Sequence, residues 1–367
     1  MSKLNRIFYL IASIISIVVF LFFIISAFSD RISPEFSVYY SYLGMVFPFL
    51  FIFNLIFLIG WIFLRKWKWL LIYIIGFAIS WESISTYFPI HLKEEIPPEC
   101  IKLLTYNVMK FEHEKPHTKK SPNQILQYIV NSNADIICLQ EFGAFTNDNH
   151  LNENDIKQAL KAYPYYRLLK LNWSGKKHVY GLAVFSKFRI TSFKEIPFDS
   201  EYNGAFSVEL NVRGKKVTLI NCHLESNKLS MEERSEYYEL TKEFDSQKLD
   251  QITSSMNKRL TPAFKTRAKQ AQTIAEYIKK SKNPYIIVCG DFNDTPISYT
   301  RRAVKGDLRD AFVDTGFGLG ISYNRHRFLF RIDYILHSKN IKSFNCTVDR
   351  KLKNSDHYPV WTYMQLK

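Results

Sequence analysis

The sequence predicts an α/β domain that follows a set of membrane-spanning helices. Three long apolar runs fill the first ninety residues, and strand-like and helix-like segments alternate from about residue 100 to the end. A short, charged, proline-containing linker separates the two regions. We therefore divide the 367 residues into a membrane anchor at 1–90, a linker at 91–99 and one soluble domain at 100–367. The soluble domain is long enough to bury a full core.

The first apolar run extends over 7–28 without a charge and is long enough to cross the hydrocarbon core as a helix. It lacks a convincing small-residue cleavage site, which favours a retained helix over a signal peptide. Two further runs follow at 42–64 and 69–88, and the third contains Glu82. We expect Glu82 to lie near the end of its helix and reach the interface, or else to face a bundle interior.

Basic residues predict the orientation of these helices. Lys3 and Arg6 precede the first run, and Arg65, Lys66 and Lys68 fill the turn between the second and third. The loop between the first and second runs has no positive excess. If all three runs span the membrane and the N-terminus is in the cytoplasm, the soluble domain lies on the extracytoplasmic side. If only two runs span it, the soluble domain lies on the cytoplasmic side.

The net charge of +15 belongs mostly to the soluble domain, because residues 1–96 hold seven Lys and Arg against five Asp and Glu. A basic domain beside a membrane suits anionic lipid headgroups. It suits nucleic acid equally well, and it also fits an ordinary solvated surface. Charge alone therefore does not choose the substrate.

Five cysteines occur without a Cys-x-x-Cys spacing, which argues against a zinc site or a dense disulfide framework. Cys138, Cys222 and Cys289 lie in apolar strand-like runs and fit buried positions. Cys100 and Cys346 are a pair that an extracellular location would allow, although nothing in the sequence requires it.

The soluble domain alternates two kinds of segment. A helix begins near Ser121-Pro122, because a capping Ser and a first-turn Pro precede apolar residues at helical spacing. A second helix is predicted over 266–280, and residues 225–262 are predicted to combine helix with a mobile loop. Arg213-Gly214-Lys215 predicts a hairpin turn. Strands are predicted at 101–108, 134–141, 179–186, 205–212, 216–223, 285–290, 332–336, 344–348 and 358–364.

Eight polar side chains lie at the ends of these strands or in the loop just after: Asn107, Glu141, His223, Asp291, Asn293, Asp333, Asp356 and His357. Carboxylates and amides at strand ends present the hard oxygen ligands that a magnesium-like ion prefers. A His beside an Asp can stabilise charge on a phosphoryl group. One Asp at a strand end is more often a turn or helix cap, but eight polar residues in this order indicate metal-assisted phosphoester hydrolysis.

Six strings resemble the motifs of the endonuclease/exonuclease/phosphatase superfamily, which includes DNase I-like nucleases, abasic-site endonucleases, inositol polyphosphate 5-phosphatases and bacterial sphingomyelinases. The strings are Thr105-Tyr106-Asn107-Val108, Leu139-Gln140-Glu141, Asn221-Cys222-His223-Leu224, Gly290-Asp291-Phe292-Asn293, Arg331-Ile332-Asp333-Tyr334-Ile335 and Ser355-Asp356-His357-Tyr358-Pro359-Val360. The resemblance covers about 101–367. It implies a four-layer α/β sandwich of two packed sheets flanked by helices, with the site at one open edge.

The resemblance also implies a metal site. Asn107 and Glu141 would hold a divalent ion, Mg²⁺ or Mn²⁺, with Asp356 as a further direct or water-mediated ligand. Whether the site takes one ion or two stays open at this point.

Catalytic roles are implied in the same way. Asp291 would orient or deprotonate the attacking water, and Asn293 would position it. His357, paired with Asp333, would donate to the phosphoryl oxygen as charge develops. His223 would contact the scissile phosphate from the other side.

Basic residues outside the motifs give weaker signals. Substrate loops are expected at 142–178 and 225–265, which contain Lys176, Lys177, His178, Lys258, Arg259 and Lys265. Arg267 and Lys269 are expected on a solvated helix face, with contact to a phosphate as the alternative. Arg301-Arg302 and Arg325-His326-Arg327 flank the motifs and are expected nearer the site.

The leading hypothesis is a membrane-tethered phosphohydrolase acting on a lipid phosphodiester or lipid pyrophosphate outside the cytoplasm. Tethering raises effective concentration only for substrates at the same surface. The layout resembles bacterial membrane phosphatases linked to glycopeptide resistance, which implies the bacterial cytoplasmic membrane and an isoprenoid pyrophosphate. The alternatives are an extracytoplasmic nuclease for DNA or RNA and a non-catalytic scaffold. The oligomeric state is left open.

Overall fold

The computed structural model describes residues 3–112, 117–118, 121–145, 150–171, 178–227, 246–325 and 329–367. Its N-terminal unit consists of four helices: α1 Lys3–Ala27, α2 Tyr39–Phe63, α3 Trp67–Ile79 and α4 Trp81–Tyr87. Helices α1 and α2 are each long and apolar enough to cross a membrane. Helices α3 and α4 make a third span only if the pair, bent by 69°, counts as one.

The bend between α3 and α4 decides where Glu82 lies. Glu82 is in the first turn of α4, beyond the bend, and its side chain is 66% exposed. Its carboxylate lies 3.7 Å from Arg31 Nη2 and 3.6 Å from Arg302 Nη1. Glu82 therefore lies near the end of the apolar run and faces charged partners, in agreement with the first of the two sequence expectations. It does not face the interior of a helix bundle.

The remainder of the chain is a mixed α/β domain with two six-stranded sheets, which confirms the predicted fold class. The strands are β1 Ile101–Asn107, β2 Ile136–Phe145, β3 Tyr165–Lys170, β4 His178–Ser186, β5 Arg189–Ile196, β6 Gly204–Val212, β7 Lys215–His223, β8 Tyr285–Asp291, β9 Arg309–Asp310, β10 Asp333–His337, β11 Ile341–Val348 and β12 Val360–Leu366. Their orders are β11-β12-β1-β2-β4-β3 and β5-β6-β7-β8-β10-β9.

Helices cover the outer faces of both sheets and so complete four layers. The helices Gln124–Asn131 and Glu153–Ala159 pack on the first sheet. The helices Ser246–Lys280 and Tyr299–Lys305 pack on the second, and a short helix, Ala311–Thr315, lies beside β10 and β11. Apolar side chains of both sheets meet between them in a shared core. Burial of that apolar surface is the main force that holds the sheets face to face.

A parallel strand pair lies near the centre of each sheet. β1 runs parallel to β2, and β7 runs parallel to β8. Parallel neighbours end at the same edge, so Asn107 and Glu141 come together in one sheet, and His223 lies opposite Asp291 in the other. The sandwich brings both pairs to one open edge.

Buried side-chain hydrogen bonds join the two sheets just beneath that edge. Gln140 Nε2 donates to Asn221 Oδ1 at 2.6 Å across the sandwich. Asn221 Nδ2 donates to the carbonyls of Leu139 and Ala183 at 3.1 and 3.0 Å. Both side chains are fully buried. Because a buried polar group without a partner is costly, these bonds fix one alignment of the sheets.

The N-terminal unit packs directly on the α/β domain. Ile297 belongs to the same buried cluster as Phe23 and Phe47. A Cβ at Gly44 would come within 2.1 Å of the Ile297 carbonyl oxygen, so only glycine permits this close approach of α2. Arg331 Nη2 donates to the Thr86 carbonyl at the end of α4. The N-terminal unit and the α/β domain therefore share a packed interface in addition to the covalent linker.

Three strands were not predicted from the sequence, and one helix is longer than predicted. β3, β5 and β9 are edge strands of their sheets. β3 and β5 are largely exposed without a clear apolar alternation, and β9 has only two residues. The helix predicted over 266–280 begins at Ser246, inside the segment that was predicted to mix helix and loop. Residues 228–245 of that segment lie outside the described residues.

No disulfide joins Cys100 to Cys346 in the structure, where all five cysteines are free thiols. Cys138, Cys222 and Cys289 are buried, as expected.

Asn221→Ala should lower the free energy of unfolding by about 2–4 kcal/mol, because it removes three buried hydrogen bonds, those to Gln140 Nε2 and to the carbonyls of Leu139 and Ala183. Thermal unfolding of the full chain in detergent should show a melting temperature lower by several degrees. The matched control is Asn211→Ala, because Asn211 Oδ1 accepts only an exposed turn bond from Gly214 N. Equal shifts in the two variants would contradict the bridging role of Asn221.

Candidate active site

The site is built from four strand ends, two from each sheet. Asn107 ends β1 and Glu141 lies in β2, where the pairing with β4 shifts register between Leu139 and Phe142. His223 and Asp291 end β7 and β8. Glu141 has a φ of +48°, a strained value for a non-glycine residue. This register shift and the strained backbone direct the Glu141 carboxylate toward the pocket.

Asp291 is the centre of the polar cluster. Its Oδ2 lies 3.0 Å from Asn107 Nδ2, 3.6 Å from His223 Nε2 and 3.5 Å from His357 Nε2. Its Oδ1 accepts a hydrogen bond from Asn293 N at 2.8 Å. Burial raises the pKa of Asp291 to about 6, although the nearby His357 opposes that shift. A carboxylate with this pKa is charged at neutral pH yet can still take up a proton.

His357 and Asp333 form a hydrogen-bonded pair. His357 Nδ1 donates to Asp333 Oδ2 at 2.8 Å, and both side chains are buried. Ser322 Oγ accepts from Asp333 N at 3.1 Å, and Ser355 Oγ accepts from His357 N at 3.2 Å. Burial alone would lower the pKa of His357, but Asp333 and Asp291 outweigh it and raise the pKa to about 10. His357 is therefore a fixed cation at neutral pH.

His223 has the opposite electrostatic character. Burial lowers its pKa, and the neighbouring Asp291 only partly offsets that effect. Its Nε2 lies 3.6 Å from Asp291 Oδ2 and 3.9 Å from Glu141 Oε1. The two histidines thus face one carboxylate in different states, His357 charged and His223 neutral.

The residues present fit a divalent cation at Glu141 and Asp356. Burial raises the pKa of the Glu141 carboxyl, and the proximity of Asp356 raises it further. Two carboxyl groups that repel each other in a pocket are a donor set that a hard cation would stabilise. Asn107 currently donates its Nδ2 to Glu141 Oε1 at 3.3 Å, while its Oδ1 accepts from Met109 N at 3.1 Å. Rotation of the Asn107 side-chain amide would present its oxygen to the cation instead.

Another group of possible metal ligands is Asp291, Asp333 and His357, whose ligand atoms lie within 4.8 Å of one another. Its geometry favours proton transfer over metal binding. His357 Nδ1 already donates to Asp333, and a protonated imidazole offers no lone pair to an ion. We therefore propose that Glu141 and Asp356, with Asn107, hold the metal ion.

A cavity of about 190 Å³ opens over these residues and is lined by both polar and apolar side chains. The polar lining includes Glu141, His223, Asp291, Asn293, Asp356 and His357. The apolar lining includes Met256, Leu260 and Phe264 from the helix Ser246–Lys280, and Met45 from α2. All eight predicted site residues lie at one strand edge, and six of them line this cavity. Asp333 and Asn107 lie behind it, bonded to His357 and Asp291.

Arg267 lines the same cavity, so the expectation of a solvated helix face is wrong for this residue. Its side chain is fully buried. Nη1 donates to Glu225 O and to Asn227 Oδ1, each at 2.8 Å, and Nε lies 3.4 Å from Asp294 Oδ2. Arg267 shares its helix face with Leu260, Phe264, Ala271 and Ile274 at helical spacing, all buried. This helical spacing of apolar residues is the sequence pattern that would have predicted a buried position for Arg267. Lys269 is exposed, as expected, beside Glu35.

Arg301 and Arg302 face away from the cavity, contrary to the sequence expectation. Arg301 Nη2 pairs with Asp310 at 2.7 Å in a buried ion pair. Arg302 Nη1 lies 3.1 Å from Asp30 of the N-terminal unit. Arg325 Nη2 contacts Met109 Sδ at 3.3 Å. His326, Arg327, Lys176 and Lys177 and the side chain of His178 lie outside the described residues, whereas Lys258, Arg259 and Lys265 are exposed.

In the metal-free protein, Asp333→Asn should lower the pKa of His357, because it removes the largest of the charges that oppose the effect of burial and leaves Asp291 and Asp356. Proton–nitrogen NMR of the ring should show wild-type His357 doubly protonated until the pH rises toward about 10, and the variant losing its proton at lower pH. The turnover number should fall roughly a hundredfold or more. The control is Asp314→Asn, a surface carboxylate paired with Arg309. An unchanged His357 titration would contradict the assigned pairing.

Three solved structures are similar to parts of this chain. An endonuclease/exonuclease/phosphatase from Beutenbergia cavernae DSM 12333 shares 13% identity, covers 73% of this chain and 72% of its own, and has a TM-score of 0.48. A family protein from Leptotrichia buccalis C-1013-b shares 18% identity over 72% and 99% of the two chains, with a TM-score of 0.48. TDP2 from C. elegans shares 18% identity over 74% and 76%, with a TM-score of 0.46. A search of curated proteins gave no match.

Two family models match the sequence. One describes a domain of unknown function (DUF8431) and matches residues 5–87, ending at the last residue of α4. The other describes the endonuclease/exonuclease/phosphatase family and matches residues 104–357. This second match spans more than half of the chain, from β1 to the histidine that pairs with Asp333. The protein therefore belongs to the endonuclease/exonuclease/phosphatase family and is a metal-dependent phosphoester hydrolase.

Proposed function

We propose that this enzyme is tethered to a membrane and hydrolyses a lipid-linked phosphodiester or pyrophosphate at the outer surface of the bacterial cytoplasmic membrane. The observation that carries the proposal is the composition of the cavity. The lining offers charged and neutral polar groups for a phosphoryl group, together with the apolar side chains of Met45, Met256, Leu260 and Phe264. A substrate with a phosphate joined to a hydrocarbon chain matches both kinds of lining.

The origin of Met45 supports a lipid in particular. Met45 lies one turn and a half into α2, a helix apolar enough to cross a membrane. On the same turn, Tyr42 donates to Asn257 Oδ1 at 2.8 Å and stacks edge-on against Phe264 at 5.3 Å. The cavity therefore opens beside the N-terminal end of α2. A lipid in the bilayer would reach the cavity without leaving the surface.

The packing of the N-terminal unit supports the extracytoplasmic side. Arg302 contacts Asp30, which lies in the turn after α1, so the α/β domain is on the same side as the end of that helix. If α1 spans the membrane, the domain lies opposite the N-terminus. This inference does not depend on whether α3 and α4 count as one span.

The chain's own residues supply the proton chemistry of the proposed reaction. Asp291, with a pKa of about 6, would accept a proton from the attacking water, and the Asn293 amide N–H holds its other oxygen. His357, kept cationic by Asp333, would donate to the phosphoryl oxygen as negative charge develops. His223 would contact the phosphate from the opposite side as a neutral ring. A bound Mg²⁺ or Mn²⁺ would polarise the phosphoryl oxygen and lower the pKa of a bound water.

A nuclease remains the second candidate, because the excess of Lys and Arg in the α/β domain favours a polyanion. The purified full chain with Mg²⁺ should be assayed against plasmid DNA, RNA, an isoprenoid pyrophosphate, sphingomyelin and inositol phosphates. Turnover of the isoprenoid pyrophosphate or sphingomyelin, with plasmid and RNA left intact, supports the proposal. Cleavage of nucleic acid with no turnover of either lipid would overturn it.

Glu141→Gln should weaken Mg²⁺ binding by at least about tenfold, because it removes one of the two facing carboxylates. Calorimetric titration of the full chain in detergent measures this directly. Glu153→Gln is the control, since Glu153 makes only a surface pair with Lys157. Equal Mg²⁺ affinity in wild type and Glu141→Gln would remove Glu141 from the metal site.

Met45→Ser should lower kcat/KM for a lipid-linked substrate by roughly tenfold, the usual effect of losing one apolar contact to a substrate chain. Activity on a soluble phosphodiester such as bis(p-nitrophenyl) phosphate should stay unchanged. Val46→Ser is the matched control, because Val46 is the next residue of α2 and points outward, 42% exposed. A parallel loss on both substrates would show that Met45 supports the fold and not the lipid.

A further inference from the structure

Four large apolar side chains are exposed where the N-terminal unit joins the α/β domain. They come from two adjacent segments and form what we call the apolar ribbon: Ile90, Leu92, Phe317 and Leu319. Their exposed fractions are 75%, 85%, 67% and 37%. Single exposed apolar residues are ordinary on a protein surface. A group of four on neighbouring segments is typical of a binding surface.

Backbone pairing places the central residues of the ribbon on one face. Ile90 lies opposite Phe317 in an antiparallel bridge. His91 N donates to Gly316 O at 3.1 Å, and Gly318 N donates to Pro89 O at 2.8 Å. Residues directly opposite each other in an antiparallel pair project their side chains to the same side. His91 Nε2 lies 2.9 Å from Val313 O, so the other side rests on the domain.

The backbone beside Phe317 is fixed in a conformation that keeps the apolar side chains of the ribbon pointing away from the domain. Gly318 and Gly320 have φ values of +77° and +60°, which favour glycine. A Cβ at Gly320 would come within 2.4 Å of the Phe312 ring, so this loop is pressed against the domain. The apolar face of Phe317 therefore points outward as part of the fold. None of the described residues buries this ring.

We infer that the occupant is the bilayer itself, and that the apolar ribbon inserts at the boundary between headgroups and acyl chains. The ribbon begins three residues after Tyr87, the last residue of α4. Helix α4 is turned 69° from α3, and Trp81 at its start is 64% exposed. The chain thus leaves the proposed membrane unit and immediately presents apolar side chains at the level where amphipathic segments bind lipid. Aromatic residues such as Phe317 and Trp81 suit that interfacial region.

The inferred contact would give the catalytic domain a second attachment to the membrane. The packing at Tyr42 and Arg331 already fixes the domain to the helices. A ribbon in the interface would in addition limit the tilt of the whole unit relative to the bilayer. This inference rests on the membrane tether of the proposed function and is independent of the substrate.

The test measures depth in a bilayer with a fluorescent probe. The full chain carrying Cys100→Ser, to remove the partly exposed thiol, receives one new cysteine at a time and a nitrobenzoxadiazole label. It is placed in nanodiscs of phosphatidylcholine and phosphatidylglycerol, one copy to a disc, with and without lipids that carry a nitroxide near the headgroup. The labelled positions are Phe317→Cys, Ile56→Cys in α2, 58% exposed, and Phe193→Cys in β5, 40% exposed.

The label at 317 should be quenched several-fold more strongly than the label at 193, and its emission should shift to shorter wavelength. Equal quenching at 317 and 193, with the label at 56 quenched, would overturn the ribbon while leaving the membrane tether intact. A label at 56 that is not quenched would overturn the tether and the ribbon together. A parallel set of discs that hold two copies tests a second chain as the occupant, and shielding of 317 in that set alone would overturn the inference.

Substitution of the ribbon provides a second measurement. The combined variant Ile90→Ser, Leu92→Ser, Phe317→Ser should keep its melting temperature and its activity on bis(p-nitrophenyl) phosphate, since these side chains are exposed and do not line the cavity. A nitrobenzoxadiazole label at Leu319→Cys should then lose most of its quenching by nitroxide lipids. Unchanged quenching at 319 in the substituted protein would contradict insertion through the ribbon.

Discussion

The alignment of the two sheets is the constraint on which the site depends. Each sheet contributes only half of the polar cluster, Asn107 and Glu141 from one and His223 and Asp291 from the other. Apolar burial between the sheets is strong but not directional. The buried bond from Gln140 to Asn221, with the Asn221 bonds to two carbonyls, is directional and leaves no comparable alternative. It lies one residue from Glu141 and two from His223, so it fixes the distance between the halves.

Within that alignment, charge is distributed around Asp291 in an asymmetric way. His357 is kept cationic by Asp333, whereas His223 is kept neutral by burial. One carboxylate therefore faces one proton donor and one neutral ring, and its own pKa is raised toward neutrality. Groups whose surroundings push their pKa values apart can serve as acid and base at the same pH. The arrangement is consistent with hydrolysis in which the chain handles protons and a cation at Glu141 and Asp356 handles phosphoryl charge.

The N-terminal unit is part of this catalytic architecture. Met45 reaches the cavity wall, and Arg331, two residues before Asp333, donates to the end of α4. Arg302, which the sequence suggested for the site, instead pairs with Asp30 and Glu82. The basic residues around the motifs therefore divide between two tasks. Arg267 is buried at the cavity, and Arg302 and Arg331 attach the domain to the helices.

The sequence alone determined the apolar helices, the α/β class, the family and the eight polar residues at strand ends. These properties are local, because they depend on hydrophobic periodicity, turn residues and short strings that can be read along the chain. It missed β3, β5 and β9, since exposed or very short edge strands carry little periodicity. Tertiary structure alone decided that Gln140 meets Asn221, that Arg267 is buried and that Met45 joins the active-site cavity. Each of these contacts joins residues far apart in the chain, and no local pattern records which distant partner a side chain will meet.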